Sequence, residues 1–234
     1  MVLKVLQEID SIGIPVGAAL LSTRLDIPQA TVGRILSKLE KEGYLTKVSN
    51  KGRLLTEEGL SFLQHESQRK LKLKTADKLI TMTTWKSKDK LLEILQVRKL
   101  LECQTAELAC INGTEDQMEK LSAIMLGYSC EVNNGGLGND QDLKLHMCIA
   151  EMSKNVTLNQ MLSLLLTTEN AYTDFSLAGE HVLNYRMNMH EKIVNSIKNR
   201  DVQNARAAMS EHLDQVISDV DTFYSQDEDA NHIQ

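Results

Sequence analysis

Three histidines and one aspartate are spaced so that folding can bring them onto a single metal ion. Asp142 and His146 stand four residues apart in the run Asp142-Leu143-Lys144-Leu145-His146, which places them one turn apart on one helix face. His190 and His212 are 22 residues apart, and their midpoint is Asp201, within the turn-forming stretch Asn199-Arg200-Asp201. Folding the two flanking helices back on each other sets both imidazoles at matching height, about 15 Å from the turn at about 1.5 Å per residue. Three imidazoles and a carboxylate inside a helical bundle suit a divalent transition ion and leave positions for water or a ligand carboxylate. Zinc is the first choice for this donor set, and nickel, manganese or iron would also be accepted. Each histidine alone would be an ordinary core or surface residue; the joint spacing singles these three out. His65, His181 and His232 fall outside the pattern. Cys148, two residues beyond His146, points about 200° away around the helix and is not a ligand.

The elements that must hold these residues are helical. Two prolines and 4% aromatic residues, beside many Leu, Met, Glu and Lys, suit a mainly α chain. Beyond Ser87 about six helical segments follow one another, with breaks at Asn112-Gly113, Asn133 to Gly138, Lys154-Asn155, Ala178-Gly179 and Asn199 to Asp201. No alternating strand interrupts them, so residues 88–226 read as an all-α antiparallel bundle. Residues 67–87 read as a helical connector carrying Arg69, Lys70, Lys72 and Lys74, and the acidic residues 227–234 as a disordered tail.

Residues 1–66 have a different pattern. Val2, Val5, Leu6 and Ile9 recur at helical spacing, Gly17 to Leu25 forms a short second helix, and a third begins at Pro28 after the turn Asp26-Ile27-Pro28. That third helix puts Val32, Ile35, Leu36 and Leu39 on one face and leaves Gln29, Thr31, Arg34, Ser37 and Lys38 on the other, free to meet a groove. Gly43 ends it; Tyr44 to Val48 alternates as a strand, Ser49 to Arg53 reads as a turn, and Leu54 to Thr56 reads as the returning strand. Three helices and a two-stranded wing form a winged helix-turn-helix. Its third helix enters the major groove of duplex DNA while Lys47, Lys51 and Arg53 neutralise phosphates. Charge agrees: residues 1–75 hold 12 Lys+Arg against 8 Asp+Glu, whereas the remainder holds 14 against 24.

Hydrophobic content of 42% with 25% charged residues is that of a soluble protein, and no apolar run approaches the roughly 18 residues of a membrane span. The N-terminus lacks a basic start and a long apolar block, so a cytoplasmic location is expected, with Cys103, Cys110, Cys130 and Cys148 as buried thiols.

Residues 90–222 resemble the FadR C-terminal (FCD) ligand-binding domain of GntR-superfamily regulators. The likeness is carried by Val97-Arg98-Lys99-Leu100-Leu101-Glu102 with Ala106 and Ala109, by Asp142 and His146 with Asn155 further on, and by His190 to Ile197 through Asp201, Ala205 and Met209 to His212-Leu213. The resemblance implies a small organic acid bound beside a metal held by Asp142, His146, His190 and His212. It also implies that Arg98 anchors the effector carboxylate, with Glu102 and Asn155 among the effector contacts; an intrahelical pair with Glu102 is the alternative use of Arg98. GntR-type heads carry a Ser-Arg-x-Pro-Val-Arg motif where this chain has Pro28-Gln29-Ala30-Thr31-Val32-Gly33, so the head resembles a different winged helix joined to an FCD-like body.

The expectation is a ligand-responsive transcription regulator, not an enzyme, whose homodimer binds a near-palindromic operator and responds to a small mono- or dicarboxylate. Two alternatives use the same residues: a metal-sensing regulator, and a metal-dependent enzyme fused to a DNA-binding head. The enzyme is disfavoured because no paired general base stands at defined spacing.

Overall fold

The computed structural model describes residues 1–83, 87–167 and 180–231. Among them, ten helices and one two-stranded antiparallel sheet fall into two compact units, Met1–Lys78 and Leu79–Gln234.

In the first unit, α1 (Val2–Ile12), α2 (Ala18–Leu25) and α3 (Gln29–Lys41) each turn an apolar stripe inward. Val5, Leu6 and Ile9 of α1 share one core with Leu21 of α2 and Val32, Leu36 and Leu39 of α3. The wing follows as β1 (Leu45–Val48) and β2 (Gly52–Leu55), in the register Leu45↔Leu55 and Val48↔Gly52. The return strand starts two residues earlier than the sequence suggests. Gly52 and Arg53 pair with Val48 and Lys47 of β1, and Arg53 is also bridged on its other edge: Val16 N–H donates to Arg53 O at 3.0 Å, and Arg53 N–H donates to Val16 O at 2.9 Å. Gly52 allows this approach. Its φ is 126°, and a Cβ there would lie 2.4 Å from the Val16 carbonyl carbon and oxygen.

The helix that leaves the wing, α4 (Glu57–Thr83), is capped by Thr56, whose hydroxyl accepts from Gly59 N–H at 3.0 Å. It runs without a break through residue 66, so the connector is the continuation of the helix that closes the head rather than a separate element.

The second unit comprises α5 (Lys88–Asn112), α6 (Glu115–Asn133), α7 (Asn139–Met152), α8 (Val156–Leu166), α9 (Glu180–Lys198) and α10 (Val202–Asn231). Four of the expected breaks fall between these helices; Ala178-Gly179 lies outside the described residues. Thr114 and Gln117 start α6 with a reciprocal capping box. Small buried residues, Ala106, Ala109 and Cys110 on α5 and Ala205 and Ala208 on α10, allow these helices to pack closely, while α7 packs against both α5 and α6. Arg200, in the α9–α10 turn, donates to the carbonyls of Cys110 and Gly113 at 3.0 Å each and so satisfies the C-terminal end of α5.

Two expectations are corrected. The tail is not disordered from residue 227: α10 continues to Asn231, since extending a formed helix needs only one further hydrogen bond per residue; residues 232–234 lie outside the described ones. Cys130 is an exposed thiol on the outer face of α6, whereas Cys103, Cys110 and Cys148 are buried.

Replacing Gly52 by Ala is expected to destabilise the head by about 2 kcal/mol or more, because positive φ and a backbone clash act together. Chemical denaturation followed by circular dichroism measures it; an unchanged midpoint contradicts the close approach to Val16.

Candidate metal centre

Five helices meet at one buried cluster. α7 supplies Asp142 and His146 on one face, α9 supplies His190, α10 supplies His212, α5 supplies Arg98 and Glu102, and α6 supplies Tyr128. One donor atom each from Asp142, His146, His190 and His212 lies within 4.8 Å of the others. The α9–α10 hairpin places the rings of His190 and His212 with centroids 4.5 Å apart, and His146 stands 5.2 Å from His212 and 5.5 Å from His190. Asp142 Oδ1 lies 3.0 Å from His190 Nε2 and 3.8 Å from His146 Nε2.

The cluster is enclosed. His190 has no exposed surface, and His146 and His212 are only 2% and 3% exposed. Yet, among the described residues, both ring nitrogens of His146, both of His190 and Oε2 of Glu102 make no hydrogen bond of ordinary geometry, although Glu102 Oε2 abuts His146 Nδ1. Buried polar atoms without partners are rare and call for an explanation; a divalent ion would accept the lone pair that each neutral imidazole carries on one of its two nitrogens. The four residues therefore fit the group that their spacing suggests.

The surrounding charges are arranged to keep the carboxylates ionised. Burial pushes the Asp142 carboxyl up, but His190 and His146 beside it outweigh this and hold it well below the usual carboxylate range. Burial also acts to raise Glu102, and the adjoining Arg98 guanidinium with His146 brings it down to about 2. For His146 burial works against protonation, while Glu102 and Asp142 more than compensate and raise its affinity for a proton. Burial, reinforced by the neighbouring imidazoles, keeps His212 well below the ordinary histidine range.

The remaining expected effector contacts are placed differently from one another. Arg98 Nε donates to Glu102 Oε1 at 2.8 Å, and both side chains are almost fully buried, so the intrahelical pair is formed. Glu102 Oε2 abuts His146 Nδ1. Asn155 is not brought to the cluster: it is an exposed residue whose side chain accepts from Leu158 N–H at 3.2 Å and caps α8. That role was visible in the sequence, since Asn immediately before an apolar helical run is an N-cap signal. Tyr128 carries no such signal. It is buried, meets the His190 ring edge-on at 4.9 Å, and is covered by the Gly138 backbone.

In the head, Gln29, Arg34, Ser37 and Lys38 are exposed along α3 and Thr31 is half-buried on the same helix. Lys47 and Lys51 are exposed on the wing, whereas Arg53 is half-buried and paired with Glu40 of α3 at 2.7 Å.

A winged helix is followed here by a helical bundle that encloses a polar cluster. The sequence model of the FCD domain matches residues 93–215, more than half of the chain, and the chain belongs to that family. It is a GntR-type transcriptional regulator rather than an enzyme. It is similar to the HTH-type transcriptional regulator LutR of Bacillus subtilis (strain 168), at 27% identity over 84% of this chain and 86% of that protein. It is also similar to the Uxu operon transcriptional regulator of Escherichia coli (strain K12), at 26% identity over 56% of each. The fold is shared with E. coli McbR/YncC, with a TM-score of 0.53 and 16% identity over 95% of this chain and 98% of that one. It is likewise shared with Lar, which controls expression of the Listeria monocytogenes agr system, with a TM-score of 0.52 and 12% identity over 94% of each chain. No helix among the described residues is long and apolar enough to cross a membrane.

Asn155→Ala is expected to lower thermal stability by about 1 kcal/mol through loss of the α8 cap and to leave ligand responses of the body unchanged. Differential scanning calorimetry with and without added zinc measures both. A lost zinc response with unaltered stability would return Asn155 to the site.

Proposed function

We propose that the protein is a homodimeric regulator whose operator affinity is set by a small carboxylate bound beside a divalent ion in the body. The carrying observation is the convergence of the Asp142, His146, His190 and His212 donor atoms within 4.8 Å inside a buried cluster. Asp142, His146, His190 and His212 would hold the ion, zinc first, with nickel, manganese and iron as the other candidates. A bound divalent ion would supply a Lewis-acidic anchor for an effector oxygen. The chain's own charges set the remainder: Arg98 and Glu102 cancel, Asp142 offsets one charge of the ion, and one positive charge remains for a carboxylate. Dimerisation follows from the geometry of the duplex, since one winged helix covers a single half-site and a two-fold protein matches a near-palindromic operator.

On the DNA side, Gln29, Thr31, Arg34, Ser37 and Lys38 are the groove-facing set, and Lys47 and Lys51 neutralise phosphates. Arg53 acts through Glu40, holding the wing to the recognition helix. Lys47→Ala and Lys51→Ala are each expected to reduce the slope of log affinity against log salt by about 1, uniformly across sequences. Arg34→Ala is expected to weaken discrimination between operator and random duplex. Fluorescence anisotropy over a salt series measures these; slopes identical to the parent's would remove the two lysines from the interface.

Zinc at a hundredfold excess over its dissociation constant should raise the melting temperature of the chelator-treated protein by about 5–10 °C, and a suitable carboxylate should raise it further. His190→Ala should abolish both responses. A parent protein indifferent to every one of the four metals would sink the reading. Adding metal and acids separately to the operator complex also tests the sensor alternative, which four protein donors favour because they complete a tetrahedral set: there, metal alone changes DNA affinity.

A further inference from the structure

Glu102 spans two positively polarised groups, with one carboxylate oxygen given to each. Oε1 accepts from Arg98 Nε at 2.8 Å, and Oε2 lies against His146 Nδ1. Glu102 is 1% exposed and Arg98 3%, so neither oxygen nor guanidinium exchanges these contacts for water. The opposite ring nitrogen, His146 Nε2, faces Asp142. A neutral imidazole carries one N–H and one lone pair, and whatever meets the first decides which nitrogen offers the second.

We infer that Glu102 is the positioning residue of the metal centre: it holds the proton of His146 on Nδ1 and so turns the Nε2 lone pair toward Asp142, His190 and His212. Arg98 holds Glu102 in place rather than anchoring the effector. The inference rests on the metal reading above. Its physical logic is that of a histidine ligand oriented by a carboxylate behind it, where loss of the carboxylate weakens metal binding by about 10–100-fold. Arg98 is required because a carboxylate this deeply buried needs a fixed cation, and a guanidinium that left for an effector would strand it. His190 and His212 are seated by ring packing instead: Tyr128 meets His190 edge-on at 4.9 Å, and His190 and His212 lie 4.5 Å apart.

Glu102→Gln discriminates sharply because Arg98 can only donate. The guanidinium takes the amide oxygen, the amide NH2 then faces His146 Nδ1, and the histidine is driven to the tautomer whose proton occupies Nε2. Zinc affinity, measured by competition with a chromophoric chelator, is expected to fall by about 10–100-fold, with the chelator-treated variant retaining the parent's circular dichroism. In the double variant Arg98→Met with Glu102→Gln, the amide is free to turn its oxygen toward Nδ1, and part of the lost affinity should return. A residue that merely supported the fold would show no such recovery. The parent alone supplies a measurement that does not depend on any variant folding: in the zinc-loaded protein, nitrogen-15 NMR should show His146 ligated through Nε2 and protonated at Nδ1. Equal zinc affinity of parent and Glu102→Gln, or ligation through Nδ1, overturns the inference while leaving the metal reading intact. Zinc bound by neither parent nor variant overturns both.

Discussion

Ionised groups are expensive to remove from water, and the body of this chain is organised around meeting that expense at one place. Arg98, Glu102, Asp142 and three imidazoles share a single enclosed cluster, and none could be buried there alone. Each charge is tolerated because a neighbour of opposite sign, or a ring nitrogen that can accept or release a proton, stands within reach. The packing around them follows from the same need. Five helices must arrive with their polar residues at one height, and the small residues of α5 and α10 let the backbones approach closely enough for that to happen.

Positions that obey local periodicity were legible in the sequence. The Asp142–His146 spacing and the equal distances of His190 and His212 from residue 201 are statements about helix geometry and turn placement, and both are realised in the fold. The core stripe of α3 and the breaks between the body helices follow the same rules. What could not be read were contacts between elements far apart in the chain. The pairing of Arg53 with Val16 and Glu40 depends on how the wing folds back on the helices, and the packing of Tyr128 on His190 depends on the seating of α6 against α9. Asn155 is a different case. Its capping signal lies in the sequence, as Asn directly before an apolar helical run, and its side chain caps α8.

The head and body use arginine in parallel ways. Arg53 is tied to Glu40 and Arg98 to Glu102, and in both pairs the planar guanidinium fixes an acidic side chain. Arg200 does the same for backbone carbonyls at the end of α5. Arginine in this chain is chiefly a structural brace, while the exposed positive charge of the recognition helix and wing is largely carried by lysine.

The short turn at Asn199-Arg200-Asp201 has a consequence for how this protein can vary over evolutionary time. Surface turns are ordinarily where chains accept inserted or deleted residues. Here the turn fixes where α10 begins opposite α9, and one residue added within the first turn of α10, between Asp201 and His212, would rotate every later position by about 100°, carrying His212 out of the cluster. Arg200 of this turn braces α5, so displacing it would also release the end of a second helix. A three-residue connection at the surface that also holds the end of another helix is thus more tightly constrained than an ordinary surface turn.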